Sequence, residues 1–435
     1  MLRPEDLLRN QKRHEQIALF VTTKQLNISN GREWKQTVKL GLSSERLYGI
    51  WDVHRRNNMR THVNDTMSGT EKNYARYVSE AAVLGLFSGA AVWTFLFLIR
   101  KGTEILWTEI PEKIDLFMYP LVVCLIGGAL IGLCQKYFGP YPEPMGTVAE
   151  RFRNEKRYPY AKGMAICSLL PLILGAAVGP EAALVCLIVC LYTFVNDRLE
   201  KSADRKNLLM LVGATAFITF IALNNVFGDP VHIARFGHAA LGWNEFLWFV
   251  PVLFAGIGFG ILYTSFDKAI GKATDLMKNS PLVLGIIGGA VLGICGILLP
   301  FTMFSGETQL TTLINNEETL TPFLYFMTGV VKLLLVAVCL RTGFRGGPIF
   351  PLLFCGLCLG FAFSGIVGTD LTFMACVLSA AVLTCVMRQP LAVSVILLLF
   401  FPVSSAPYIF AAAYLCLFVM KNIDRKHILR TELEI

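Results

Sequence analysis

The chain has 435 residues, 54% of them hydrophobic, and a mean hydropathy of +0.56, which is more apolar surface than a soluble core of that length can bury. A soluble globular protein is excluded, and lipid must be part of the solvent. The net charge of +8 is no nucleic-acid signature, because the basic residues are confined to particular connecting segments and report orientation across a membrane instead.

In chain order, residues 1–78 read as a polar cytoplasmic segment rich in Arg, Lys and Asn, with no apolar run before Glu80. No cleavable signal peptide is expected, so the first spanning helix directs insertion. The stretch EDLLRNQKRHEQIALF has an amphipathic pattern, read either as a regulatory surface element or as a plain cap on the bundle. Residues 79–421 form the expected membrane domain. Ala81–Ile99, Leu116–Cys134, Leu282–Leu299 and Phe323–Leu340 are each about long enough, at 1.5 Å per residue, to cross a hydrocarbon core of about 30 Å. Shorter runs, Met164–Leu174, Ala182–Val195, Leu208–Leu223, Phe373–Met387 and Leu391–Phe401, are broken or bounded by Gly, Pro or charge.

Basic segments at the amino terminus, Lys136–Lys162, Arg198–Lys206, Lys268–Lys278 and Lys421–Arg430 are expected on the cytoplasmic side. Phe301–Pro322, with three Glu and no Lys or Arg, and the acidic Gly102–Asp115 are expected outside. Both termini then face the cytoplasm, residues 422–435 form a short tail, and the protein sits in the plasma membrane. All twelve cysteines lie in apolar runs and read as small packing residues. Cys355 and Cys358 form a CxxC, but within FCGLCLG at lipid depth packing is the better reading than redox or metal chemistry. No metal site, cofactor or nucleic-acid partner is expected, and no polar loop offers a nucleophile with a base, so an enzyme is not expected either.

Pro120–Cys134 (PLVVCLIGGALIGLC) lies over Pro281–Cys295 (PLVLGIIGGAVLGIC) with one constant offset and no gap, and most positions are identical. Helix-packing constraints alone favour small residues on one face. The order of later features also recurs, however, with Gly175–Glu181 answering to Gly343–Pro351. The chain therefore reads as two halves, about 79–230 and 240–421, with interrupted helices in corresponding places, the pattern of a transporter or channel site near the midplane. Whether the halves are inverted turns on the parity of crossings between them, which hydropathy leaves open.

In LLPLILGAAVGPEAALVCLIVCL a helix is expected to end near Gly175 and another to start near Gly179, with Pro180 at its first position. A helix that starts inside a membrane offers unpaired N–H groups and the positive end of its dipole in a low-dielectric place, which suits an anion. Irregular backbone at that depth survives only against protein or a watery cavity. TGFRGGPIFPLLF repeats the logic, with Gly346 and Gly347 allowing close approach and Pro348 or Pro351 starting the next helix.

These residues resemble the CLC family of chloride channels and anion/proton exchangers. FGPYPEP is similar to the family's GSGIP loop, AAVGPE to its G(K/R)EGP loop and GGPIFP to its GxFxP loop, while MRQPLAV and FSGETQL resemble two flanking elements. The resemblance, which spans about Glu80 to Lys421, implies an all-α duplicated bundle with broken helices meeting at mid-membrane. It also implies a homodimer embedded in lipid, each subunit with its own pathway for chloride or a similar small anion. Carried onto this sequence, the pathway comprises Gly139 and Pro142, then Gly175, Val178, Gly179, Pro180 and Glu181, then Gly346, Gly347, Pro348, Ile349, Phe350 and Pro351.

The departures from the family pattern matter. Val178 stands where the family has its gating glutamate, and valine neither carries a proton nor competes with an anion. GPYPE lacks the family serine. Pro348 has no N–H, which leaves Ile349 and Phe350 as donors, and Asn422–Ile435 contains no counterpart of the family's pore tyrosine. The expected function is passive, proton-uncoupled chloride conduction. An anion/proton antiporter using Glu181 is the alternative, and a non-conducting membrane scaffold a second. Glu181 is read mainly as a partner of its own helix dipole, Lys332 either as a charge that draws anions inward or as one that snorkels or starts a helix, Arg388 as a structural contact, and Trp107 and Trp248 as interface anchors.

Overall fold

A computed structural model describes residues 76–114, 116–139, 161–199, 205–228, 242–315 and 320–433, with 141, 235–237 and 239 between them. The expectations for residues 1–75, including the amphipathic stretch, lie outside the described residues. The described elements are helical apart from one isolated backbone pairing, as lipid requires, since a helix satisfies its N–H and C=O groups within its own segment. In order these are α1 (Arg76–Glu109), α2 (Tyr119–Phe138), α3 (Ala161–Ile173), α4 (Glu181–Leu199), α5 (Arg205–Phe227), α6 (Trp243–Asp275) and α7 (Pro281–Leu298). There follow α8 (Glu307–Asn315), α9 (Pro322–Thr342), α10 (Ile349–Val367), α11 (Leu371–Met387), α12 (Pro390–Leu397) and α13 (Ala406–Leu433). Eight of them, α1, α2, α5, α6, α7, α9, α10 and α13, contain windows long and apolar enough to cross a membrane.

Three boundaries differ from the sequence reading. Leu208–Leu223, among the shorter runs, is extended at both ends by α5 to spanning length. The segment Lys268–Lys278 begins inside α6, whose charges fall in its last turns and do not interrupt the helix. Lys421 is likewise no break between membrane domain and tail, since α13 continues to Leu433.

Helix α11 is buried from Thr372 to Cys385 and packs against α10, α6 and α13. It ends where Arg388 adopts φ 56°, its N–H closing on Thr384 O and its guanidinium on Asp424 of α13 at 3.1 Å, so the structural reading of Arg388 holds. At the other extreme, α5 leaves Met210, Phe217, Ile218 and Val226 exposed. That is tolerable because lipid tails solvate such side chains as well as a protein interior does.

The repeated segments become α2 and α7, and they pack on each other. A methyl group placed on Gly128 would lie 2.1 Å from Gly285 O, and one on Gly289 would lie 2.1 Å from Cys124 O. Gly132 approaches Leu282 Cα and Gly293 approaches Leu121 Cα, each at 2.6 Å by the same measure. The offset of 161 that carries Pro120 onto Pro281 also carries each of these contacts onto its partner. The pairs therefore obey a two-fold axis between the helices. Along α2 the partners on α7 run backwards, from Gly293 at Leu121 to Leu282 at Gly132, so the helices are antiparallel and the axis lies across them, in the membrane plane. The halves are inverted, which settles the parity that hydropathy left open.

Gly128→Ala should therefore destabilise the protein by about 1–3 kcal/mol, because backbone on the opposite helix cannot yield as a side chain would. Thermal unfolding in detergent measures this, with Gly258→Ala on α6 as the control, since nothing lies within 4 Å of a methyl group there.

Candidate anion site

The two breaks are built alike. Helix α3 stops at Ile173, Gly175 turns the chain with φ 78°, and the Ala176 N–H closes back on Pro171 O at 3.0 Å. Helix α9 stops at Thr342, Gly343 turns with φ 107°, and the Phe344 N–H closes on Cys339 O at 2.9 Å. A Cβ resists both φ values, which explains glycine at each. Four residues on, the chains meet. Gly179 N–H donates to Gly347 O at 2.7 Å and Gly347 N–H donates to Gly179 O at 2.8 Å. Pro180 and Pro348 follow and helices α4 and α10 begin, so each proline sits just before its helix and not at the first helical position. Pro351 is the third residue of α10.

Helix α10 has no capping side chain of its own at Pro348. The cap comes from the other half. Glu181, the first residue of α4, places Oε1 2.6 Å from the Ile349 N–H and 3.0 Å from that of Phe350. These are short, charge-assisted hydrogen bonds between a carboxylate and the positive end of a helix. Oε2 is buried without a hydrogen-bond partner. Glu181 thus caps the start of α10 while standing in the first turn of its own helix, where the sequence reading placed it. Val178 is fully buried against Gly346 and offers no polar atom to the crossing.

The structure brings Gly175, Val178, Gly179, Pro180, Glu181 and Gly346–Pro351 into one locus. Gly139 stands at the carboxyl cap of α2 with φ 98° and its N–H on Gln135 O, and Pro142 is outside the described residues. The amide of Gln135 does reach the second break, donating to Gly343 O. Lys332 is neither at a helix start nor snorkelling. It lies mid-helix in α9 and is wholly buried.

Three contributors escaped the sequence. Trp107 donates its Nε1–H to Ile173 O at 2.9 Å, at the end of α3, and its ring meets Phe304 edge-on at 5.4 Å. Phe304 itself donates its N–H to Gly175 O at 2.9 Å, so the supposed outer loop folds back onto the first break. Phe400 sets its ring edge-on to Phe350 at 5.8 Å, an aromatic close to the amides from a stretch upstream of Asn422–Ile435. The indole, as a buried donor needing an acceptor, was the one available signal for any of them.

A family model described as voltage gated chloride channel matches residues 216–421. Relatives from several Escherichia coli strains, named ion-transport protein YfeO, are 26% identical over 64% of this chain and 77% of their own length. Among solved structures, a CLC-type fluoride/proton antiporter superposes with a TM-score of 0.61 at 18% identity, covering 80% of this chain and 96% of that one. A slow cyanobacterial Cl⁻/H⁺ antiporter gives 0.59 at 16% identity over 80% and 95%.

A methyl group on Gly347 would stand 2.1 Å from the Glu181 Cδ, so Gly347→Ala should evict that flexible carboxylate and leave the fold intact. Freed of a charge-assisted competitor of about 1.5–3 kcal/mol, the amides should bind halide about ten- to a hundredfold more tightly. Titration calorimetry on purified protein would check this.

Proposed function

Because this chain is a member of the CLC family of chloride channels and anion/proton exchangers, we propose that it exchanges a small anion, chloride first, for protons at the crossing of its two broken helices. Glu181 is the moving carboxylate. One observation carries this reading: Glu181 Oε1 accepts the Ile349 and Phe350 N–H groups, the donors that an anion would use.

Two anions cannot share those amides, so each arriving anion displaces the carboxylate. A displaced carboxylate at membrane depth is costly unless it takes up a proton. Protonation removes the charge the amides attract, the carboxyl swings away, and the anion takes its place. When the anion leaves, Glu181 gives up the proton and returns. If release on opposite sides is enforced, anion and proton move in opposite directions. Passive conduction was expected because Val178 removes a carboxylate from the usual position, but a carboxylate three residues later reaches the same kind of donor. The likeness to fluoride/proton and Cl⁻/H⁺ antiporters supports exchange, as does the inverted repeat, which sets equivalent helix starts on both sides of the midplane. A homodimer in the plasma membrane with cytoplasmic termini completes the proposal.

In liposomes carrying purified protein, a chloride gradient should drive protons against it, and Glu181→Gln should abolish proton movement while chloride still flows. Chloride efflux by the unaltered protein without proton counter-movement would make it a passive channel. Absence of flux for any halide or nitrate would make it a scaffold.

A further inference from the structure

Lys332 stands apart from the exchange chemistry, yet its charged side chain is wholly buried. A bare ammonium at membrane depth must be surrounded by dipoles. Its Nζ donates to Met303 O at 2.9 Å and to Phe301 O at 3.2 Å, and lies 4.3 Å from the centre of the Phe354 ring. Two carbonyl oxygens and a π face all present negative charge, so these neighbours make a pocket suited to a cation.

What the ammonium gathers leads to both breaks. Met303 O also accepts from Gln309 Nε2 at 3.2 Å, which fixes the turn from two sides. The next residue, Phe304, has φ 58°, a conformation that bulky side chains avoid and that persists only where its surroundings dictate it. Phe304 is the residue whose N–H holds Gly175 O, and the Met303 side chain abuts Gly175 as well. On the other side, Phe354 lies one helical turn beyond Phe350 in α10, the helix whose first amides hold Glu181.

We propose that Lys332 is a positioning residue: a tethered internal cation that holds the turn at Phe301–Phe304, and through it the first break, in register with α10. The proposal rests on the crossing being the anion pathway, but one arm of its test does not depend on transport. Lys332→Met keeps the length and bulk of the side chain and removes the charge, whereas Lys332→Arg keeps the charge. In Lys332→Met, hydrogen exchange of peptides covering residues 174–179 and 303–306 should rise about tenfold with α11 unchanged. Chloride turnover should fall by about tenfold with an altered half-saturating concentration, since a displacement near 1 Å is enough to misplace a site. Lys332→Arg should stay within about threefold of the unaltered protein in both readouts. If Lys332→Met exchanges and transports as the unaltered protein does, the lysine only fills space and the proposal falls. If the unaltered protein moves no anion, the functional reading fails while the exchange measurement still decides the role of Lys332. Should Lys332→Met not fold, Phe354→Leu removes only the ring beside the ammonium. It should move both readouts in the same direction, and its indifference would overturn the proposal.

Discussion

The structure depends on a constraint that lipid imposes and water would not: a helix that begins inside the membrane must find partners for its first N–H groups within the protein. Among the described residues, Glu181 and Ile349 begin two such helices, and the chain solves them jointly. Gly179 and Gly347 exchange a reciprocal pair of hydrogen bonds, which takes up the last extended residues before each helix and leaves the helix starts face to face. Everything chemical about the locus follows from that crossing. Glycine at both positions lets the backbones approach, and the prolines beside them have no N–H of their own to satisfy.

The symmetry of the frame makes the asymmetry of the side chains meaningful. Glu181 and Ile349 hold the same place in the two halves, each the first residue of its helix, yet one is a carboxylate and the other supplies a bare amide. An inverted repeat puts the carboxylate of one half on the amide of the other. Each half supplies what the other lacks, so neither could form the arrangement alone. The same division of labour recurs outside the crossing: Lys332 and Phe354 of the second half secure a turn that in turn holds Gly175 of the first.

The fold around this locus is graded from buried to exposed. Helix α11 is buried along nearly its whole length, with α10 beside it, while α5 is exposed over most of its surface. A rigid, well-packed layer behind the Ile349 and Phe350 amides suits a site that must keep its donors fixed while its occupant changes. The close contact of α2 with α7 carries the two-fold relation, and Gln135 near the end of α2 bridges from that contact to the second break.

Much of this was legible beforehand because it is written in local chemistry. Apolar length located four spanning helices, Gly and Pro marked both breaks, and a gapless match between two fifteen-residue stretches declared the duplication. The end of α6 escapes the same reading, because charges in a helix's last turns look like a loop. The sequence alone thus determined that the protein lives in lipid, that it is doubled, and that Ile349 and Phe350 are left as donors once proline removes its own. Which helix start accepts the Glu181 carboxylate, where Lys332 sits, and that Trp107 braces the end of α3 were decided only by tertiary structure. The reason is physical: each of those facts concerns a partner many residues away in the chain, and a side chain's type fixes what it can bond but not what the fold will set in front of it.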